Sequence, residues 1–508
     1  MRRIIVLSTV ALLLVGWSAT AGIPGDGAQA KAENLFSQEP LKSSVFGLFA
    51  LRMDGDTVAS VNICQKMLPA SNVKLITTGV ALRTLGSDFH FETGIGYTGE
   101  VRDSTLAGDV YIIGGGDPTI GSGADFAGTS DSLFEEWLQI LSDHGIKSVE
   151  GRIIGDPRFY DDTIPENLGW TYDDLGTSYG IGPSGLNFFE NAQFFTVRPG
   201  VTAGSRPEFE PTYPDTPWMR YLNRAVTGKA KSGNSIFYIN TPLAPYGEFC
   251  GEFPIDRTRY TLEASNHFGA YTCAYYFYNY LRDHGVQVAG GFGDVSVSGT
   301  LRTDISFRES SSAAPAPGEI TKIGSTLSAP LSAIIKYANT FSDNFFVESI
   351  LKMTGKTEAG SSGYDASIGA VYSVLKSMGF SPDGAYQLVD GSGLSRKNYL
   401  SPEFLVNFLR VMTQSPYYGV YLDSLPIPGE SGTLESRFQK APRDFRNRIH
   451  VKTGSMNGVR CYSGYLLPSD NDSTHTIAFS LLLNNITGST QSVNQAVEGI
   501  IEALAAEN

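Results

Sequence analysis

The sequence is poor in cysteine, in positive charge and in long apolar runs, and each shortage removes a class of function. Four cysteines in 508 residues are too few for a disulfide framework. Cys250 and Cys273 are close enough in sequence to pair in an oxidising compartment, while Cys64 and Cys461 read as small apolar strand residues. None of the four has metal-ligand spacing. Thirty-eight basic residues against 52 acidic ones give a formal net charge of −14. There is no basic stripe, so a nucleic-acid backbone is excluded as a partner. Beyond the first 15 residues no stretch is long and apolar enough to span a bilayer.

What is present points to a secreted, strand-rich protein. Gly (56), Tyr (25) and Phe (29) are plentiful, and 41% apolar with 18% charged residues is the balance of a folded chain. Its length exceeds what one apolar core serves, so more than one domain is expected. Arg2 and Arg3 precede an apolar run, Ile4 to Val15. Small residues follow, with Ala19-Thr20-Ala21 and Ala28-Gln29-Ala30 both fitting the A-x-A cleavage pattern. This reads as a signal peptide over 1–21, with cleavage after 30 as the alternative. A periplasmic or otherwise extracytoplasmic location follows.

Turn signals and apolar periodicity divide the rest. A hairpin is expected over Val45–Asn62, turning near Asp54-Gly55, and a mostly apolar helix from about Pro69-Ala70 to Leu85. From about His90 to Ser306 the pattern is short strands, with helices only at 130–145 and 266–285. Residues 310–319, SSSAAPAPGE, are a linker by composition. Beyond it helices are expected over Leu331–Asn339, Asn344–Met353 and Ala366–Met378. A hairpin follows from His450 to Leu467 around Asn457-Gly458, then a strand at His475–Asn484. A closing helix puts Val493, Ala496, Val497, Ile500, Ile501 and Leu504 on one face. Its polar face is acidic, so membrane association is at most peripheral. The plan is α/β: a unit made of 31–90 plus 307–508, interrupted by a mostly-β region, 91–306, of one or two subdomains.

Three short motifs carry chemistry. Ser71-Asn72-Val73-Lys74 opens the first helix, and residues i and i+3 share one helix face. An unprotonated Lys74 there would take the Ser71 proton and make a nucleophile without histidine. The first turn also lies at the positive end of the helix dipole. Ser342-Asp343-Asn344 falls in the break between two helices. Ser342 suits a proton relay to a leaving amine and Asn344 suits a substrate amide, with a helix N-cap as the ordinary alternative. Lys452-Thr453-Gly454-Ser455 places a cation, two hydroxyls and a bare backbone in a strand, where Gly marks close approach of a ligand. The triple S-x-x-K, S-D-N, K-T-G is the set used by class A β-lactamases and penicillin-binding proteins.

With these motifs, and with PASNVKLITTGVAL, YIIGGGDPT, SDNFFVESILK, DGSGLSRKNYLSP and VKTGSMNGVRCYSGYL, the chain resembles the penicillin-binding serine D-Ala-D-Ala peptidases. It is most similar to the low-molecular-mass class C group, the type 4 carboxypeptidase/endopeptidases, whose mark is a large insert between S-x-x-K and S-x-N. The resemblance implies a transpeptidase-like, β-lactamase-like fold: an antiparallel sheet with helices on both faces and an all-helical subdomain. It implies Ser71 as the acylated nucleophile, Lys74 as its base, and Ser342 and Asn344 lining the cleft. Lys452, Thr453, Gly454 and Ser455 would hold the substrate's terminal carboxylate, and the N–H groups of Ser71 and Ser455 would form the oxyanion hole. It implies peptidoglycan peptides ending in D-Ala-D-Ala as substrates, β-lactams as covalent inhibitors, and no metal or cofactor. Asp390-Gly391-Ser392-Gly393 reads as a tight structural turn.

Rival readings have weaker support. A class A β-lactamase needs an E-x-x-L-N stretch between S-D-N and K-T-G, and none lies between Asn344 and Lys452. Gly176-Thr177-Ser178-Tyr179-Gly180 matches the hydrolase pattern G-x-S-x-G, but Gly182, Pro183 and Gly185 leave no helix to follow it. A non-catalytic penicillin-binding or cell-wall-binding sensor would not need the complete motif set. Ser349/Lys352 and Ser373/Lys376 repeat S-x-x-K in mid-helix, Ser232-Gly233-Asn234 repeats S-x-N in a loop, and His450 reads as an ordinary strand residue.

Overall fold

The computed structural model describes residues 27–507 except 40, 306–311, 382–383, 385, 471 and 488. The signal-peptide reading over 1–21 lies outside the described residues, as does the start of the 310–319 linker. The alternative cleavage after 30 falls inside a helix, Ala28–Phe36, whose Ala28 and Ala32 are fully buried.

Five strands form one antiparallel sheet: β1 (Val45–Arg52), β2 (Thr57–Val61), β3 (Ile449–Met456), β4 (Val459–Leu466) and β5 (Ile477–Asn484), in the order β2-β1-β5-β4-β3. All eight residues of the central β5 are buried. Ala478 and Leu482 join the apolar cluster on one face; Ile477, Phe479, Leu481 and Leu483 join the cluster on the other. Alternation with period two makes that division, and burial on both faces is why the strand reads as a nearly continuous apolar run. Each such side chain contributes about 1.5–3 kcal/mol by burial. β3 is one edge strand of the sheet, and the Val451 N–H on its outer edge donates to Pro426 O at 3.0 Å.

In chain order the longer helices are α1 (Ala28–Phe36), α2 (Val73–Leu85), α3 (Ser130–Asp143), α4 (Gly269–Asp283), α5 (Leu331–Phe341), α6 (Asn344–Ala359), α7 (Tyr364–Ser377), α8 (Pro402–Met412) and α9 (Thr490–Ala506). α1 and α9 cover one face of the sheet. Val493, Val497, Ile500, Ile501 and Leu504 of α9 are buried there with Ala496 beside them, as the periodicity requires. The other face carries α2 and the helical layer α5–α8. α2 is buried from Val73 to Leu82, which explains why it is apolar all round rather than amphipathic. α8 starts at a Ser401 cap followed by Pro402, a start signal that the sequence reading passed over.

Among the described residues, the two largest apolar clusters of the inserted region are separate from those of the five-stranded sheet. A mixed six-stranded sheet, with α3 and α4 against it, encloses Phe134, Trp137, Leu186, Phe188 and Phe277. Two three-stranded sheets enclose a second cluster of Phe195, Tyr238, Phe249, Phe253 and Leu262. Residues Thr321–Leu327, beyond the linker, pair antiparallel with Glu92–Tyr97 and so extend the inserted sheet. The sequence reading had put this segment in the other unit; the ladder hydrogen bonds, invisible in composition, override the linker as a boundary.

The cysteine expectations need correction. All four are free thiols. Cys250 lies at the end of a strand with its thiol on Glu248, and Cys273 is buried inside α4. Cys461 is a buried strand residue as expected, but Cys64 is exposed in a turn, 3.3 Å from Glu403.

Candidate active site

Ser71 lies in the 3₁₀ turn Ala70–Asn72 that runs into α2. Ala70 before it adopts φ 46°, a left-handed conformation that costs a non-glycine residue roughly 1 kcal/mol or more. Two glycines let the surroundings close on this turn. A Cβ on Gly454 of β3 would meet Pro69 O at 2.8 Å, and one on Gly393 would meet Ala70 O at 1.9 Å. The Gly of K-T-G is therefore a steric requirement. Asn72 secures the same junction: its Nδ2 donates to Lys452 O at 3.1 Å, and its Oδ1 accepts from Ser463 Oγ at 2.7 Å.

One turn on, the buried Lys74 Nζ donates to Ser71 Oγ at 3.0 Å, Asn344 Oδ1 at 2.6 Å and Ser392 O at 2.8 Å. The Asn344 amide is oriented by its other end, where Nδ2 donates to Tyr179 O at 2.9 Å. Asn344 Oδ1 and Ser392 O are thus fixed acceptors. In the neutral amine they hold both N–H groups, and the lone pair points at Ser71 Oγ. Burial pushes the Lys74 amine down to about 8, while the nearby carboxylates of Glu348, Asp343 and Asp390 keep it from falling further. Such an amine is a base near neutral pH.

Lys452 on β3 is also fully buried, and its Nζ donates to Thr453 O at 2.9 Å. Burial, then the charge of Lys74, drives its amine well below the ordinary lysine range. Two buried amines within electrostatic reach of each other form a site for an anion. Ser342 ends α5 in a left-handed conformation, φ 62°, while Asp343 caps α6 by accepting from Phe346 N at 2.9 Å. The N-cap alternative thus belongs to Asp343 and leaves Ser342 outside it. Burial raises the Asp343 carboxyl. Thr453 and Ser455 stand on β3, half-buried and exposed respectively. Among the described residues, no hydrogen bond joins Ser342, Thr453 or Ser455 to Ser71 or Lys74.

Asn72, Tyr179 and Ser392 were not picked out by sequence reasoning. Tyr179 and Ser392 act through main-chain carbonyls, which leave no residue-type signal. The stretch DGSG is a turn, as expected, and its carbonyls serve the crevice: Gly391 O accepts from Thr77 Oγ1 at 2.7 Å beside the Ser392 contact. The rival serines make other contacts. Ser178 opens the 3₁₀ turn Ser178–Gly180, whose Tyr179 carbonyl meets Asn344, but its own Oγ donates to Glu263 at 3.4 Å. Ser349 Oγ donates to Gly116 O, Lys352 pairs with Asp162, and Ser373 Oγ donates to Gly369 O in α7. Asn234 closes an exposed turn onto Ile236 N. His450 faces Leu422 O, and burial lowers its imidazole.

The sequence profile of the D-Ala-D-Ala carboxypeptidase 3 (S13) family matches residues 28–507. The chain belongs to this family. Among S13-like relatives, a D-alanyl-D-alanine carboxypeptidase of Actinomadura sp. strain R39 is 28% identical over 514 residues, covering 96% of this chain and 88% of its own. The DacB carboxypeptidase of Haemophilus influenzae is 23% identical, covering 86% and 84%. The crystal structure of H. influenzae penicillin-binding protein 4 superposes with a TM-score of 0.75 at 20% identity, covering 94% of this chain and 98% of that one. This likeness establishes the shared fold.

Proposed function

We propose that this S13-family protein is a serine D-Ala-D-Ala carboxypeptidase with endopeptidase capacity, acting on peptidoglycan stem peptides through an acyl-enzyme. The observation that carries the reading is the Lys74 amine, 3.0 Å from Ser71 Oγ with its other two directions taken by fixed acceptors. Ser71 Oγ gives its proton to Lys74 Nζ and attacks the carbonyl carbon of the D-Ala-D-Ala bond. The N–H groups of Ser71 and Ser455 stabilise the oxyanion, at roughly 3–4 kcal/mol per donor. The C–N bond breaks as the proton taken up by Lys74 is relayed through the Ser342 hydroxyl to the departing amine, and D-Ala leaves. Water then hydrolyses the Ser71 ester. Asn344 orients the substrate amide, and Lys452, Thr453, Gly454 and Ser455 receive the terminal carboxylate on the edge of β3. Cleavage of a cross-link differs only in the leaving amine. The reaction so written uses this chain's own groups and water.

β-Lactams, as mimics of the scissile amide, acylate Ser71. The substrate places the protein outside the cytoplasm; among the described residues no helix is long and apolar enough to cross a membrane. The catalytic unit comprises 31–90 with 307–508, extended to α1 and shortened at Thr321–Leu327, and 91–306 is its insert. The test is labelling of wild type and Ser71→Ala with a fluorescent penicillin, with mass spectrometry of the adduct and an assay of D-Ala release from a pentapeptide. A Ser71 adduct with D-Ala release is expected, and both vanish in Ser71→Ala. An undiminished adduct in the variant overturns the nucleophile. An adduct without D-Ala release favours a binding protein, and rapid hydrolysis of penicillin favours a β-lactamase.

A further inference from the structure

Beside Lys74 lies a carboxylate that the reaction above does not use. Glu348 stands one turn beyond Asn344 on α6 and is fully buried. Its Oε1 accepts from Ser392 N at 2.7 Å and Gly391 N at 3.1 Å, and its Oε2 from Gly391 N at 3.2 Å. These amides belong to the turn whose carbonyls face α2. The peptide between Gly391 and Ser392 has its N–H on Glu348 and its carbonyl on Thr77. The next peptide has its N–H on Asp390 Oδ1, at 2.9 Å, and its carbonyl on Lys74 Nζ. Glu348 therefore fixes the peptide plane just before the one that carries the Ser392 carbonyl, and Asp390 fixes that second plane.

We propose that Glu348 is a positioning residue for the acylation step, bracing the turn that presents the Ser392 carbonyl to Lys74 and placing a carboxylate beside that amine. The proposal rests on Lys74 acting as the base for Ser71. Charges face this pair from every side: Asp390 from the turn, Asp343 from the α6 cap with Glu190 against it, Lys452 from β3, and Tyr364 from α7. Lys352, one turn further along α6, is bonded to Asp162 at 2.7 Å. Burial and Asp390 raise the Glu348 carboxyl to about 7, and its negative charge in turn raises the Lys74 amine. Removing that charge leaves burial less opposed, so Lys74 loses its proton at lower pH.

The test is the pH profile of penicillin acylation for wild type and Glu348→Gln in the full chain. The glutamine keeps the shape, removes the charge and sets an N–H₂ against the turn's amides. The expected result is a plateau rate lowered roughly tenfold or more and an acid limb moved down by about one pH unit. A side chain that merely supported folding would lower the yield of active protein without moving the limb, so an unmoved limb overturns the proposal. Should Glu348→Gln fail to fold, Glu348→Asp keeps the charge and withdraws the carboxylate by one methylene. A lowered rate with the limb in place is then expected, and a wild-type rate overturns the proposal. A wild-type profile with no acid limb would instead sink Lys74 as the base, whatever Glu348 does.

Discussion

In the inserted region three buried carboxylates, Asp156, Asp294 and Glu166, each have a basic side chain against them. Arg158 meets Asp156 through two bonds of 2.8 and 2.6 Å, Arg302 grips Asp294 with Nε and Nη2, and His267 lies 2.9 Å from Glu166. The Arg pairs are two-pronged, the geometry that recovers most of the desolvation cost. In the crevice like charge is set near like charge. Lys74 lies near Lys452, Glu348 near Asp390, and Asp343 near Glu190. The first arrangement is complete as it stands and serves the fold. The second stays under electrostatic tension, which a bound carboxylate between the two amines would relieve, so its perturbed groups mark chemistry rather than architecture.

The strongest way to break this contrast is Lys74→Met. Acylation by penicillin should fall roughly 10³-fold or more, while thermal stability at pH 7 rises. The sign follows from linkage. The folded amine titrates at about 8, below its ordinary 10.5, so the fold carries a penalty of roughly 3 kcal/mol below pH 8 that disappears as pH rises through 10.5. Melting curves of the two proteins should therefore converge at high pH; a Met variant less stable at pH 7 would remove the tension from the crevice. The opposite experiment is Arg302→Met, which strands an Asp294 side chain only 1% exposed. Denaturant melts should show a loss of about 3 kcal/mol, with acylation per folded molecule unchanged. The smallest effect is expected of Ser178→Ala. Its labelling rate should stay within about twofold of wild type, since the side chain reaches an exposed Glu263 although the next residue's carbonyl meets Asn344; a larger drop would make the Ser178 hydroxyl part of the site.

Residues that the proposal relies on for their side-chain type were legible in the sequence. Ser71, Lys74 and Asn344 are joined by hydrogen bonds although they come from two distant segments. The β1–β2 hairpin, α2, α6 and α9 were legible from turn residues and apolar period. Three kinds of feature were not. Main-chain donors and acceptors such as Ser392 O and Tyr179 O carry no signature, because any residue can supply them. Glu348 reads as one more polar helix position until its two amide partners arrive from a turn more than 40 residues away. The strand Thr321–Leu327, buried only at Thr326, lacks the alternation that marks a strand, and only its partner Glu92–Tyr97 defines it. Long-range pairing decides what local pattern leaves open.

The order of the central sheet has a consequence for biosynthesis. β1 is flanked by β5, and the turn bearing Ser71 is pinned to Lys452, 380 positions later, through Asn72. During synthesis from the N-terminus the Ser71 hydroxyl emerges long before the strands that complete its surroundings. Assembly must wait for the last part of the chain, as high contact order dictates. A truncated or stalled product would carry Ser71 and Lys74 but no finished crevice around them, so whatever this crevice does is withheld until translation is all but done.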